Sequence, residues 1–167
     1  MPDRHASIVD AHVLRRGGKI LLLRRAPGLY AAGQFCLPSG HHEQGENITQ
    51  TAARELAEET GIIVTATCLR MVLAMRQRNP EGSARFGFFF QPDAWDGDPV
   101  NREPDKHTEM LWADPSDLPA ETVGYTAAAL AAIEQGATFT INGWDGPDSA
   151  ARTKPEDREH AAAPATS

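Results

Sequence analysis

The spacing of apolar residues along the chain alternates between a two-residue and a helical period. The runs "SIVDAHVLRR" and "KILLLRR" predict two strands joined by Gly17-Gly18, a good hairpin turn because glycine adopts positive φ without steric cost. "QFCLP" predicts a short strand that Pro38 ends. "VTATCLRMVLAMRQR" and "ARFGFFFQP" predict a second strand pair around the turn "NPEGS", and "HTEMLWAD" one more strand. "DPSDLP" reads as a tight turn or short helix, and "TVGYTAAALAAIEQG" as an alanine-rich amphipathic helix stopped by Gly136. Strands interrupted by two helices imply a mixed α/β (α+β) domain in which helices cover the sheet.

The other helix lies in the glutamate-rich stretch "SGHHEQGENITQTAARELAEETGII". Asn47 or Thr49 can cap a helix running to about Thr60, with Gly61 as its C-terminal cap. At about 100° per residue, Ile48, Ala52, Ala53, Leu56 and Thr60 fall on one stripe that should face the sheet. Glu55, Glu58 and Glu59 fall on an adjoining arc, spaced i, i+3 and i+4. Alone, these carboxylates would repel and raise one another's pKa. A divalent cation removes that conflict, and oxygen-only ligands suit Mg²⁺ or Mn²⁺ rather than zinc.

Composition narrows the setting. With 167 residues, 41% of them hydrophobic, the chain has room for one compact domain. From Gly146 onward it has no large apolar residue, so residues 1–145 are expected to form the domain and 146–167 a disordered tail. No apolar run is long enough to span a membrane, and "MPDRHASIVDAH" lacks a signal peptide's apolar stretch, so a cytoplasmic protein is expected. Cys36 and Cys68 sit in apolar strand-like contexts without metal-ligand spacing and read as buried thiols. A net charge of −7 argues against nucleic-acid binding, which needs a basic face, so an anionic substrate would require local cations or bound metal.

The loop before the helix adds a specific pattern. Gly40, five residues, Glu46, seven residues, then Arg54-Glu55-Leu56-Ala57-Glu58-Glu59-Thr60-Gly61-Ile62 matches every fixed position of GX5EX7REUXEEXGU, with U aliphatic. On these residues the chain resembles the Nudix hydrolases, the small MutT-like ones in particular, from about Ser7 to about Asn142. The resemblance implies a Nudix-type α/β/α sandwich, a mixed sheet flanked by helices. It also implies hydrolysis of a nucleoside diphosphate linked to another moiety X, with Mg²⁺ as cofactor, for which Mn²⁺ can substitute. Metal ligands would be Glu55, Glu58 and Glu59, with the Ser39 carbonyl assisting where the family usually has glycine. Gly40, Glu46, Arg54 and Gly61 would shape the loop, Arg54 steadying it and the base.

A further acidic ligand commonly comes from a loop beyond this box. Glu103 is favoured over Glu109, because Pro104 fixes a bend there whereas Glu109 lies in a strand-like run. Glu55 is the candidate general base and Glu103 the runner-up; either would take a proton from a metal-held water. Arg24 and Arg25 are weaker candidates for phosphate contact. His41 and His42 read as solvated loop residues. Trp95, Phe35 and Phe88 to Phe90 offer faces for a base, with core packing the stronger expectation for "FGFFF".

The expected substrate is a small nucleotide: a nucleoside triphosphate, modified or non-standard ones included, split to monophosphate and pyrophosphate. ADP-ribose or a nucleotide sugar is the alternative. Two readings of other classes are a non-catalytic nucleotide-sensing module, and an isopentenyl-diphosphate-type isomerase using Cys36. Homodimers are common in the family, so the resemblance allows a homodimer here.

Overall fold

The computed structural model describes residues 7–79, 82–144 and 152–153. The strands are β1 (Ser7–His12), β2 (Arg15–Arg16), β3 (Lys19–Arg25), β4 (Phe35–Cys36), β5 (Ser39–His41), β6 (Leu69–Arg78), β7 (Ala84–Pro92), β8 (His107–Ala113), β9 (Ala137–Asn142) and β10 (Arg152–Thr153). Two α-helices, α1 (Ile48–Thr60) and α2 (Gly124–Glu134), interrupt them.

One sheet runs β10-β9-β6-β7-β1-β5, and a second places β3 between β8 on one edge and β2 and β4 on the other. β1 pairs with β7 and β6 with β9 in parallel, and the other strand pairs are antiparallel. The apolar run "SIVDAHVLRR" is therefore not one strand. β1 belongs to the first sheet and β2 to the second, and the fully buried Val13 and Leu14 carry the chain between them. Val13 donates to Phe90 O at 2.8 Å and Leu14 O accepts from Leu21 at 3.1 Å, so the crossing keeps backbone bonds to both sheets.

Side-chain alternation separates two apolar layers. On β3, Ile20 and Leu22 enter a core with Leu73, Met75, Phe89 and the α2 residues Ala129 and Leu130. Leu21 packs the other way, with Leu14, Ile62 and Leu56 of α1. Phe89 and Phe90 divide likewise, Phe90 joining Ala52 of α1. The helices thus cover different faces, giving the mixed α/β/α sandwich.

α1 begins in a capping box: the Asn47 side chain accepts from Gln50 N–H while the Gln50 side chain accepts from Asn47 N–H. It ends at Gly61, whose φ of 72° is the left-handed conformation that glycine tolerates best. "DPSDLP" is a turn in which Asp117 N–H donates to Asp114 O and Ser116 N–H to the Asp114 carboxylate. Cys68 departs from expectation: it is exposed at the end of a 3₁₀ turn, Ala66–Cys68, that precedes β6, whereas Cys36 is buried. Within the expected tail, Arg152–Thr153 lie antiparallel to β9, and the rest of 146–167 falls outside the described residues. No described helix is long and apolar enough to cross a membrane.

Candidate active site

The sharp return from β4 through Pro38 to β5 lays the Ser39–His41 backbone against α1. Two contacts fix this approach. Ser39 N–H donates to Glu59 Oε2 at 2.7 Å, and the Glu55 carboxyl lies directly over Gly40. A Cβ at position 40 would sit 1.9 Å from Glu55 Cδ, so the glycine is required by space, not by its φ.

The three helix carboxylates do not share one environment. Glu55 and Glu59 line a cavity of about 470 Å³ together with Arg25, Tyr30, Cys36, Ser39, His41, Lys106 and His107. Glu58 is not among its lining residues; its half-exposed side chain accepts from Arg54 Nη1 at 3.2 Å. Helix geometry accounts for the split, because positions 58 and 59 project on either side of Glu55, about 100° apart.

Arg54 offsets much of the like charge. It donates to both Glu46 oxygens, at 2.7 and 2.9 Å, and to Glu55 Oε1 at 2.8 Å. Hydrogen bonds from this guanidinium hold the Glu46 carboxyl down to about pKa 2, and those bonds in turn raise the arginine's own pKa. His42 is half-buried, its Nδ1 2.9 Å from Thr51 Oγ1, which donates to Glu46; His41 is exposed at the cavity wall.

Glu59 is the buried member, only 4% exposed. Burial pushes its pKa well above the ordinary carboxylate value; Glu55 and Glu103 add to the shift, while the Ser39 N–H and Lys106 oppose it. One donor atom each from Glu59, Glu103 and His107 lie within 4.8 Å of one another. Glu103 Oε1 accepts from Lys106 at 2.8 Å, whereas its Oε2 is buried without a hydrogen-bond partner. A carboxylate oxygen left so is costly unless a cation or ordered water meets it. The donor set and this orphaned oxygen therefore fit a divalent cation.

Glu109 lies elsewhere, on β8 facing β3, with its carboxylate 3.3 Å from Arg24. Arg24 also donates to Gly33 O and stacks over Phe35, whereas Arg25 lines the cavity and donates to Tyr30 O. Phe35, Phe89 and Phe90 are buried, and Trp95 stacks on Trp112 with Arg16 over its ring. Cys36 lines the cavity as a thiol that burial pushes up to about pKa 11, a poor nucleophile.

His107 was not anticipated from the sequence. It is 3% exposed, and burial lowers its pKa. Its N–H donates to Glu103 O at 2.9 Å, which closes a tight turn and stacks positions 103 and 107. The i, i+4 Glu/His spacing was the available signal. It was obscured because "HTEMLW" reads as the start of a strand.

A second cavity, of about 610 Å³, adjoins the first through Tyr30, Arg85, Val123 and Tyr125. Its polar wall includes Gln34, Gln77, Asn79 and Asn142, and Asn142 Nδ2 donates to Gln77 Oε1 at 2.7 Å.

A helix thus presents carboxylates to a cation-compatible cleft over a mixed sandwich. A family model of the NUDIX domain matches residues 4–132, and the chain belongs to the Nudix hydrolases, which act on phosphoanhydride bonds and generally use divalent metal ions. The chain is 33% identical over 78 residues to an ADP-ribose pyrophosphatase of Methanocaldococcus jannaschii, a match covering 47% of this chain and 46% of that protein. It thus spans about half the length of that curated relative. Among solved structures, a MutT NUDIX hydrolase from Burkholderia pseudomallei is similar at 26% identity and a TM-score of 0.69, over 77% of this chain and 98% of that one. The E. coli ORF135 protein is similar at 25% identity and a TM-score of 0.64, over 78% and 89%.

Proposed function

We propose that the chain hydrolyses a nucleoside diphosphate linked to a second group, with Mg²⁺ or Mn²⁺ as cofactor, and that a nucleoside triphosphate is the favoured substrate. The observation that carries this reading is the adjacency of the two cavities: carboxylates with Arg25 and Lys106 line the smaller, four amides with Arg78 line the larger, and Arg85 lines both. Phosphates would occupy the first and the nucleoside the second.

Glu59 and Glu103 would hold the cation, with Glu55 and the Ser39 carbonyl as further donors, and Glu58, held by Arg54 outside the cavity, would reach it only after a side-chain rotation. A bound divalent cation supplies charge neutralisation on the phosphates and acidifies water. Glu55 is the proposed general base, held by Arg54 and by its seat over Gly40. It accepts a proton from the attacking water as the new O–P bond forms. The phosphoanhydride P–O bond then breaks, and its electrons leave with the departing phosphate oxygen. Arg25 and Lys106 would pair with the phosphate oxygens and orient that bond.

A second reading, an ADP-ribose-type substrate, is favoured by the similarity to the archaeal ADP-ribose pyrophosphatase. One experiment tests both. The protein is incubated with nucleoside triphosphates, ADP-ribose and nucleotide sugars in Mg²⁺ or Mn²⁺, and the products are identified. Nucleoside monophosphate with pyrophosphate supports the first reading. AMP with ribose 5-phosphate, and no turnover of triphosphates, replaces it with the second. No turnover of any member overturns both.

A further inference from the structure

The carboxylates beside α1 account for an oxygen-only metal site, but they do not account for the imidazole packed among them. His107 is 3% exposed, and its Nε2 stands 3.7 Å from Glu59 Oε1, beyond hydrogen-bond range. Its Nδ1 is buried with no hydrogen-bond partner, as is the neighbouring Glu103 Oε2. The Glu103 oxygen forfeits its hydration without gaining a bond, and the imidazole edge nearest Glu59 stops short of a hydrogen bond to it. A structural histidine in this position would be expected to bond Glu59 directly.

The spacing suits a shared ligand instead. Donors about 2.1 Å from one octahedral ion stand roughly 3 to 4.2 Å apart, so the observed limit of 4.8 Å closes with small side-chain rotations. The backbone supports this arrangement, because the tight turn from Glu103 to His107 presents both residues to Glu59 from one loop.

We infer that His107 supplies a nitrogen donor to the metal site formed with Glu59 and Glu103, so that the site takes a first-row transition-metal ion, Mn²⁺ included, in preference to Mg²⁺. The inference rests on the metal-dependent hydrolase reading above and deepens it. Its basis is ligand chemistry: Mg²⁺ and Mn²⁺ both take oxygen donors, and a nitrogen donor adds affinity for the transition ion, more so further along the order from Mn²⁺ to Cu²⁺.

The test uses the full chain and Mn²⁺ itself as probe. Pulsed EPR of the wild type with one equivalent of Mn²⁺ should show the coupling of a directly bonded ¹⁴N, and His107→Gln should remove it. A variant lacking both His41 and His42, the other imidazoles near the cleft, should keep it, which decides the source even if His107→Gln fails to fold. In thermal-shift titrations, the half-saturating concentration should be at least about tenfold lower for Mn²⁺ than for Mg²⁺ in the wild type, and His107→Gln should narrow that gap. Mn²⁺ bound without nitrogen coupling, or nitrogen coupling retained in His107→Gln, overturns the inference and leaves the hydrolase reading standing. Absence of any bound Mn²⁺ or Mg²⁺ would overturn both.

Discussion

Replacing Gly40 with alanine isolates the seat of the proposed base. The new Cβ would lie 1.9 Å from Glu55 Cδ and 2.2 Å from Oε1, against an ordinary contact of about 3.5 Å. The Glu55 carboxyl must therefore move by about 1.5 Å. A misplacement of about 1 Å can cost roughly 10²-fold in rate, or about 2.7 kcal/mol of barrier. Stability should change much less. Gly40 does not occupy the left-handed region, so alanine is acceptable to the backbone, and a weakened but not broken Arg54–Glu55 hydrogen bond costs about 1 kcal/mol. Steady-state kinetics and thermal melts on Gly40→Ala should thus show kcat reduced roughly 10²-fold with Tm nearly unchanged. In a Glu55→Gln background the same change should add little, because both act on one group. A Gly40→Ala enzyme with wild-type kcat would refute the claim that this contact positions a catalytic carboxylate.

Other consequences follow from the same geometry. Glu46 has a folded pKa near 2, below its unfolded value, so its contribution is present above about pH 4.5 and lost as pH falls from there toward 2; Glu46→Gln should flatten the acid side of the Tm profile. Glu59→Gln keeps an oxygen for the Ser39 N–H but relieves a buried charge facing Glu55 and Glu103. Melts should show it as stable as the wild type or more so without metal, and deprived of most of the Tm gain that metal brings. Leu56→Ala empties a fully buried position beneath α1 and should cost about 2 to 5 kcal/mol in urea unfolding.

How far the sequence disclosed this depends on where the information lies. The α1 cap residues, its buried stripe and its glutamate arc are local properties of one helix, and the structure has Asn47, Leu56 and Gly61 in the anticipated positions. Which glutamates enter the cleft was not local: helix geometry sends Glu58 and Glu59 to either side of Glu55, and the packing of β5, with Ser39 N–H on Glu59, puts the cleft on the Glu59 side. β5 and β9 escaped notice because "SGH" is too short and polar for a periodic signal, and "ATFTIN" follows a helix with only a weak alternation. The division of "SIVDAHVLRR" between two sheets was invisible because Val13 and Leu14 are buried in different apolar layers while extending the same apolar run. Cys68 looked like a strand residue, yet the 3₁₀ turn leaves it facing solvent. His107 required knowing that the Glu103 loop folds back on Glu59, a contact across more than forty positions.

The proposed reaction is the hydrolysis of a phosphoanhydride, with a divalent cation, in the cavity that Glu55 and Glu59 line. Its most direct measurement is ³¹P NMR of nucleoside triphosphate and ADP-ribose incubated with the metal-stripped protein, before and after addition of Mg²⁺ or Mn²⁺, alongside Glu55→Gln and Glu59→Gln. The account predicts product signals only after metal addition, and their near loss in both variants. Turnover that is indifferent to metal, or that survives intact in both glutamine variants, would contradict it.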